Sequence, residues 1–269
     1  MHPEVLHLGF VHLRSYGLMM AVAFVVGTFL GLREARRLGL DEDRVVNVIL
    51  VTLIASVFGA RMLYVLEHIA EFRREWTSVL ALWQGGLTLY GGVAAGTFAG
   101  LVAARRMKLP VWITADALTP SLALGTMFGR IGCFLNGCCY GRPTSLPWGV
   151  VFPHDSFAYL EFGDQPVHPS QLYNALVGLL LFVLFQSLRQ RFRVPGVMFW
   201  SFLVLFALVR IPIDLTRTYE RDAVLMRIGA SDFTESQLMS AGLVLFGGLM
   251  ILRLRRNAPR DTTPASALP

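Results

Sequence analysis

The stretch Leu122-Ala123-Leu124-Gly125-Thr126-Met127-Phe128-Gly129-Arg130-Ile131-Gly132-Cys133-Phe134-Leu135-Asn136-Gly137-Cys138-Cys139-Tyr140-Gly141-Arg142 sets a guanidinium inside an apolar run. A charge at the centre of a membrane helix costs at least ~2.5–3.5 kcal/mol on insertion scales. A second arginine has the same setting, in Leu208-Val209-Arg210-Ile211-Pro212-Ile213-Asp214-Leu215-Thr216-Arg217. A guanidinium is a planar fork of donors that fits phosphate oxygens. Arg130 and Arg210 therefore read as an anion clamp. The plainer alternative is a buried arginine paired with Asp214 or Asp116. Ions inside a membrane are functional by default, which favours the clamp.

Composition agrees with a membrane setting. Of 269 residues, 54% are hydrophobic and 16% charged, with mean hydropathy +0.55. Soluble domains carry ~25% charged residues. The chain reads as an all-α integral membrane protein with no large soluble part. Its net charge of +6 sits in loops and forms no basic stripe interleaved with aromatics, so nucleic acid is not an expected partner. The N-terminus, with His2, Glu4 and His7, lacks the basic leader of a cleavable signal peptide.

A bilayer crossing needs ~20 apolar residues. Seven stretches qualify: Tyr16–Leu32, Val45–Leu66, Leu80–Ala104, Val111–Leu135, Gln171–Leu188, Val197–Thr216 and Gln237–Leu252. Pro120 and Gly125 interrupt the fourth, which reads as a broken or re-entrant helix. Residues 1–256 form one transmembrane domain in this reading, and 257–269 a disordered cytoplasmic tail. No internal repeat is visible.

Loop arginines set the orientation. The loops after the first, third and fifth stretches, with the tail, hold Arg33, Arg36, Arg37, Arg44, Arg105, Arg106, Lys108, Arg189, Arg191, Arg193, Arg253, Arg255, Arg256 and Arg260. The opposite side holds Arg73, Arg74, Arg142, Arg217, Arg221 and Arg227. The N-terminus is thus expected outside and the C-terminus inside. Arg14, Tyr16, Arg61, Tyr90, Arg130, Asn136, His168, Arg210 and Asp214 then all fall in the outer half, with Asp116 the exception. A site open to the outer leaflet explains that bias better than a transport path, which needs midplane polar residues.

Arg210, Asp214 and Arg217 recur at i, i+4, i+7 on one helical face. Asp214 can orient Arg210, while Arg217 alone reads as an ion pair near the membrane surface. Gly129, Gly132, Gly137 and Gly141 flank Arg130; they suit close approach to a ligand, or close helix packing. His168 precedes Pro169-Ser170-Gln171-Leu172-Tyr173 at a helix start, as a general base or as a structural residue. No second histidine stands at metal spacing, so neither metal nor cofactor is expected. Cys133, Cys138 and Cys139 read first as small packing residues, then as a thiol switch, and last as metal ligands.

Together these segments resemble the prolipoprotein diacylglyceryl transferase family. The resemblance rests on Gly129-Arg130-Ile131-Gly132 with Asn136-Gly137 and Tyr140-Gly141, on His168-Pro169-Ser170-Gln171-Leu172-Tyr173, and on Tyr16-Gly17-Leu18-Met19. Gly59-Ala60-Arg61, Gly85-Gly86-Leu87 with Gly91-Gly92, and Arg210 with Asp214 add to it, over about residues 13–240. It implies transfer of a diacylglyceryl group from phosphatidylglycerol to the lipobox cysteine of prolipoproteins at the bacterial inner membrane. It implies catalytic roles for Arg130, Arg210, Tyr90 and His168. Substrate contacts would come from Tyr16, Arg61, Gly129, Asn136, Gly141, Gln171, Tyr173 and Asp214. The chain departs from the family pattern in having Tyr90 for a common His, Cys133 for Asn, Cys138 for an acid, Asn174 for Glu, Phe206 for Tyr and Arg14 for His. Two rival readings stand beside it: a lipid-binding or lipid-transporting protein that keeps the arginine clamp but has lost the base, and a thiol-redox protein using Cys133, Cys138 and Cys139.

Overall fold

The computed structural model describes residues 4–8, 11–73, 76–81, 85–154, 156–218, 224–228 and 231–258. The expected tail beyond Ala258 lies outside the described residues. The long helices are α1 (Ser15–Arg37), α2 (Glu42–Glu67), α4 (Leu89–Arg106), α5 (Val111–Leu135), α7 (Ser170–Leu188), α8 (Val197–Asp214) and α9 (Glu235–Arg256). Short helices α3 (Ile69–Phe72) and α6 (Phe157–Phe162) lie in connections. Two antiparallel hairpins, β1 (Glu4–Leu8) with β2 (Val11–Arg14) and β3 (Val224–Ile228) with β4 (Ser231–Thr234), lead into α1 and α9.

Among the described residues six helices are long and apolar enough to cross a membrane: α1, α2, α5, α7 with the turn after it, α8 and α9. The third expected stretch differs. Its helix begins at Leu89 rather than Leu80 and has 18 residues. Gly85 and Gly86 precede it at φ 83° and 72°, a left-handed backbone that no helix can include. The expected break in α5 is also absent, since the helix runs through Pro120 and Gly125. Neighbours on two sides hold it. Ser121 Oγ donates to Gly27 O of α1 at 2.7 Å, and Gly178 of α7 lies so close that a Cβ would stand 2.9 Å from Ala123 O. Outward positions stay apolar: Phe29, Phe98 and Leu245 are 67%, 70% and 71% exposed. That surface suits lipid rather than water. The molecule is a multi-pass membrane protein.

The chain packs as two units. One is Leu32–Ala117. Within it α2 and α4 meet through small residues. A Cβ on Gly91 would collide with Leu63 Cβ at 2.6 Å, and one on Gly100 with Thr52 Oγ1 at 2.6 Å. Small residues let the backbones approach where hydrocarbon gives no hydrophobic drive. Asp41 caps α2 by accepting from Arg44 N–H at 3.1 Å, with Glu42 and Asp43 in the first turn, where acids suit the helix dipole.

The other unit comprises residues Met1–Gly31 and Leu118–Pro269. Its core gathers Ala123, Leu181, Phe185, Met198 and Phe202 from α5, α7 and α8. A smaller core, Phe152, Ala158 and Val167, underlies the loop between α5 and α7. Thr234 and Gln237 form a reciprocal capping box that starts α9.

Candidate functional site

Three arginines converge in the second unit. Arg130 stands in the next-to-last turn of α5, and Arg217 and Arg210 both lie within electrostatic reach of it. Among the described residues the acid paired with them is Asp214, at the end of α8, whose side chain is 1% exposed. Arg210 Nε is 3.4 Å from Asp214 Oδ2, and Arg217 Nη1 is 3.9 Å from Oδ1. Arg130 has no ion pair or hydrogen bond with its side chain among the described residues. Among the described residues one carboxylate faces the cluster, and it pairs with Arg210 and Arg217 rather than with Arg130. That is the electrostatic signature of an anion site.

Ser236 completes the Arg210 pair, and sequence reasoning missed it. Its hydroxyl accepts from Arg210 Nε at 2.9 Å and donates to Asp214 Oδ2 at 2.6 Å. These bonds take only Nε. Among the described residues no hydrogen bond takes Nη1 or Nη2 of Arg210, so the fork remains for a ligand. The spacing of Arg210 and Asp214 foretold their pairing. Nothing local pointed to Ser236, one residue inside a helix that starts 21 residues after α8 ends.

Gly141 ties the loop together. Its N–H donates to His168 O at 2.9 Å, His168 N–H to Arg142 O at 3.0 Å, and Arg142 N–H to Thr216 O at 2.8 Å. Arg142 Nε adds a bond to Arg217 O at 3.0 Å. A Cβ on Gly141 would stand 2.5 Å from His168 Cβ, from Ser170 Oγ and from Thr216 O. Only glycine lets the end of α5, the start of α7 and the end of α8 meet at this point.

The other expected site residues divide between the units. Tyr16 and Met19 of α1 cover Gly132, where a Cβ would lie 3.2 Å from each. Gly129 is open, with Met20 Sδ at 3.8 Å. Gln171, fully buried, donates from Nε2 to Cys138 O at 2.8 Å, and its Oε1 has no hydrogen-bond partner among the described residues. Tyr173 Oη accepts from Trp148 Nε1 at 2.8 Å and lies 3.2 Å from His168 Nδ1. Burial holds the His168 imidazole below its ordinary range, so it is neutral at neutral pH. Asn136 N–H donates to Gly132 O at 3.0 Å. Hydrogen bonds from Cys133 and Cys138 hold the Cys139 thiol below its usual range, and the Arg217 and Arg130 charges add to this.

Arg61 and Tyr90 belong to the first unit. Arg61 is buried and bound to carbonyls: Nε to Val79 O at 2.9 Å, Nη1 to Gly85 O at 2.6 Å and Gly86 O at 3.1 Å, and Nη2 to Ser78 O at 2.5 Å. Its guanidinium also faces the Tyr64 and Phe72 rings at 5.7 and 5.2 Å. It organises the segment leading into α4. Tyr90, at the second position of α4, is 41% exposed.

A family described as prolipoprotein diacylglyceryl transferase matches residues 3–253. The chain belongs to that family. Among its relatives is the phosphatidylglycerol–prolipoprotein diacylglyceryl transferase of Geobacter sulfurreducens, 34% identical over 258 residues, 94% of this chain and 95% of that protein. The enzyme of the same name from Synechococcus elongatus is 34% identical over 272 residues, covering 98% and 92%. That from Mannheimia succiniciproducens is 33% identical over 265 residues, covering 96% of each. By family the protein is a membrane transferase of lipoprotein biosynthesis.

Proposed function

We propose that the protein transfers the diacylglyceryl group of phosphatidylglycerol to the lipobox cysteine thiol of prolipoproteins. The supporting observation is Arg130, without a carboxylate of its own among the described residues and beside Arg217 and Arg210. In the reaction the substrate sulfur bonds to the terminal glyceryl carbon. The bond from that carbon to the phosphate oxygen breaks, and its electron pair leaves with glycerol phosphate. A phosphate leaving group needs charge stabilisation more than a proton, and preorganised guanidinium donors supply it. The thiol, with pKa ~8.5 when free, must lose its proton; His168, water or the phosphate takes it. No cofactor enters this chemistry.

Asp214 orients Arg210, and Gly129, Asn136 and Gly141 line the approach to Arg130. Tyr16, Gln171 and Tyr173 shape the lipid and peptide contacts. Tyr90 contributes an O–H to the lipid phosphate and Arg61 positions the segment before it; these two roles rest on the resemblance of the segments around them. In this reading α4 is the seventh crossing, the N-terminus is outside the cytoplasm and the C-terminus inside. The site opens to the outer leaflet of the bacterial inner membrane, where both substrates reside. Complementation of a strain depleted of its own transferase tests the function. Restored lipidation supports it. Stable, membrane-inserted protein without restored lipidation overturns it in favour of a lipid-binding role.

A further inference from the structure

By sequence the three cysteines read first as small packing residues, then as a thiol switch and last as metal ligands. The structure gathers their sulfurs: the Sγ atoms of Cys133, Cys138 and Cys139 all lie within 4.8 Å of one another. None is sealed in the core; each is partly exposed, and each is a free thiol. We propose that Cys133, Cys138 and Cys139 form a three-thiolate site for a soft d10 metal ion, with Zn2+ as the representative.

Geometry carries this first. A zinc–thiolate bond of ~2.3 Å sets sulfurs ~3.8–4.0 Å apart around one ion. Sulfurs within 4.8 Å therefore need only small rotamer adjustments to share it. The backbone that presents them is also fixed. Cys133 stands on the last turns of α5. Cys138 N–H donates to Cys133 O at 3.1 Å and closes the turn between them. From α7, the fully buried Gln171 holds Cys138 O at 2.8 Å. Cys139 keeps φ 61°, a left-handed conformation uncommon outside glycine. That turn brings two adjacent cysteines back over the helix end.

The donor set agrees. Among the described residues the cluster holds three sulfur ligands and no carboxylate, so hard ions such as Mg2+ and Ca2+ are disfavoured and soft ones favoured. Binding replaces up to three S–H bonds by metal–sulfur bonds, and the protons go to solvent. No electron moves, so no oxidant is required. A thiol switch, by contrast, needs an oxidant and joins only two of the three sulfurs.

The test uses the full chain in detergent, reduced with a phosphine, titrated with Zn2+ against a chromophoric chelator. One ion per chain is expected, with a sulfur shell at ~2.3 Å by X-ray absorption and protection of all three thiols from alkylation. Cys133→Ser, Cys138→Ser and Cys139→Gly should each weaken binding by more than the ~10–100-fold typical of losing an outer-shell partner. Cys139→Gly guards against misfolding, because glycine adopts φ 61° without strain. Failure of the parent protein to retain Zn2+, undiminished binding in the variants, or a shell of nitrogen and oxygen alone overturns the site. None of these readouts depends on transfer activity.

Discussion

The Ser236 hydroxyl stands 2.6 Å from Asp214 Oδ2 while accepting from Arg210 Nε. The acid and the arginine, both on α8, are thus held by one hydroxyl from α9, and Arg210 presents its fork in a fixed direction. Ser236→Ala removes a hydrogen bond to charged groups, worth ~1.5–3 kcal/mol. If that orientation serves the transition state, the transfer rate falls roughly ten- to a hundredfold. Ser236→Thr, which keeps the hydroxyl, retains most of the rate. Equal rates for the Ala variant and the parent would show that Arg210 needs no anchor.

Gly141→Ala places a methyl group against the start of α7 and the end of α8 at once, 2.5 Å from His168 Cβ, Ser170 Oγ and Thr216 O. Two of these belong to backbone-anchored loops, so the strain has no cheap outlet. Overpacking of this kind costs ~1–3 kcal/mol or more. The variant should melt earlier in detergent and lose transfer activity. An unchanged melting temperature would mean that these segments separate freely.

His168 should set an acid limb on the transfer rate, with a sign that follows from burial. Desolvation lowers its pKa below the ordinary 6.5, so the neutral imidazole persists as pH falls through that value. Between 6.5 and the folded value the unfolded chain binds the proton and the folded one does not. Stability from this group therefore falls with decreasing pH only across that window, and nothing changes above it. If His168 takes the thiol proton, the acid limb has its midpoint below 6.5 and disappears in His168→Gln. A midpoint above 6.5 that vanishes in the variant would contradict a neutral, desolvated imidazole.

Much of the frame was legible in the sequence. Apolar length marked α5 at both ends, and α2, α7 and α8 within a few residues, because a hydrocarbon solvent imposes a length on every crossing. Arg130, Arg210 and Asp214 were legible because a charge in an apolar run is conspicuous. Other features depended on contacts that local pattern does not encode. Pro120 reads as a break, yet α1 and α7 pack against α5 on both sides of it. Leu80–Thr88 is apolar, but Gly85 and Gly86 turn there and Arg61 binds their carbonyls. The hairpins have strands of only four or five residues, too short for a period to emerge. Ser236 and Arg142 act across 22 and 75 residues of sequence, so only the fold connects them to the site.

Topology has its own test. Basic residues outnumber those on the opposite side about two to one, which predicts a cytoplasmic C-terminus. A reporter fused after Arg256 that is active only in the cytoplasm agrees. Activity of a reporter that works only outside the cytoplasm would reverse the orientation and place the arginine cluster on the inner side.

Arg130→Gln is the most direct test of the anion clamp. The measurement is single-turnover transfer from phosphatidylglycerol to a lipobox peptide, scored by thioether formed and glycerol phosphate released. Glutamine keeps an uncharged hydrogen-bonding end on a shorter side chain and removes the charge and the fork. Loss of one such donor in a dry site raises the barrier by ~2.7–4 kcal/mol, or about 10²–10³ in rate. The predicted result is a drop of that size in a variant that inserts and melts like the parent, with only partial recovery in Arg130→Lys. Turnover of Arg130→Gln within a fewfold of the parent would contradict the role of Arg130 in stabilising the departing phosphate.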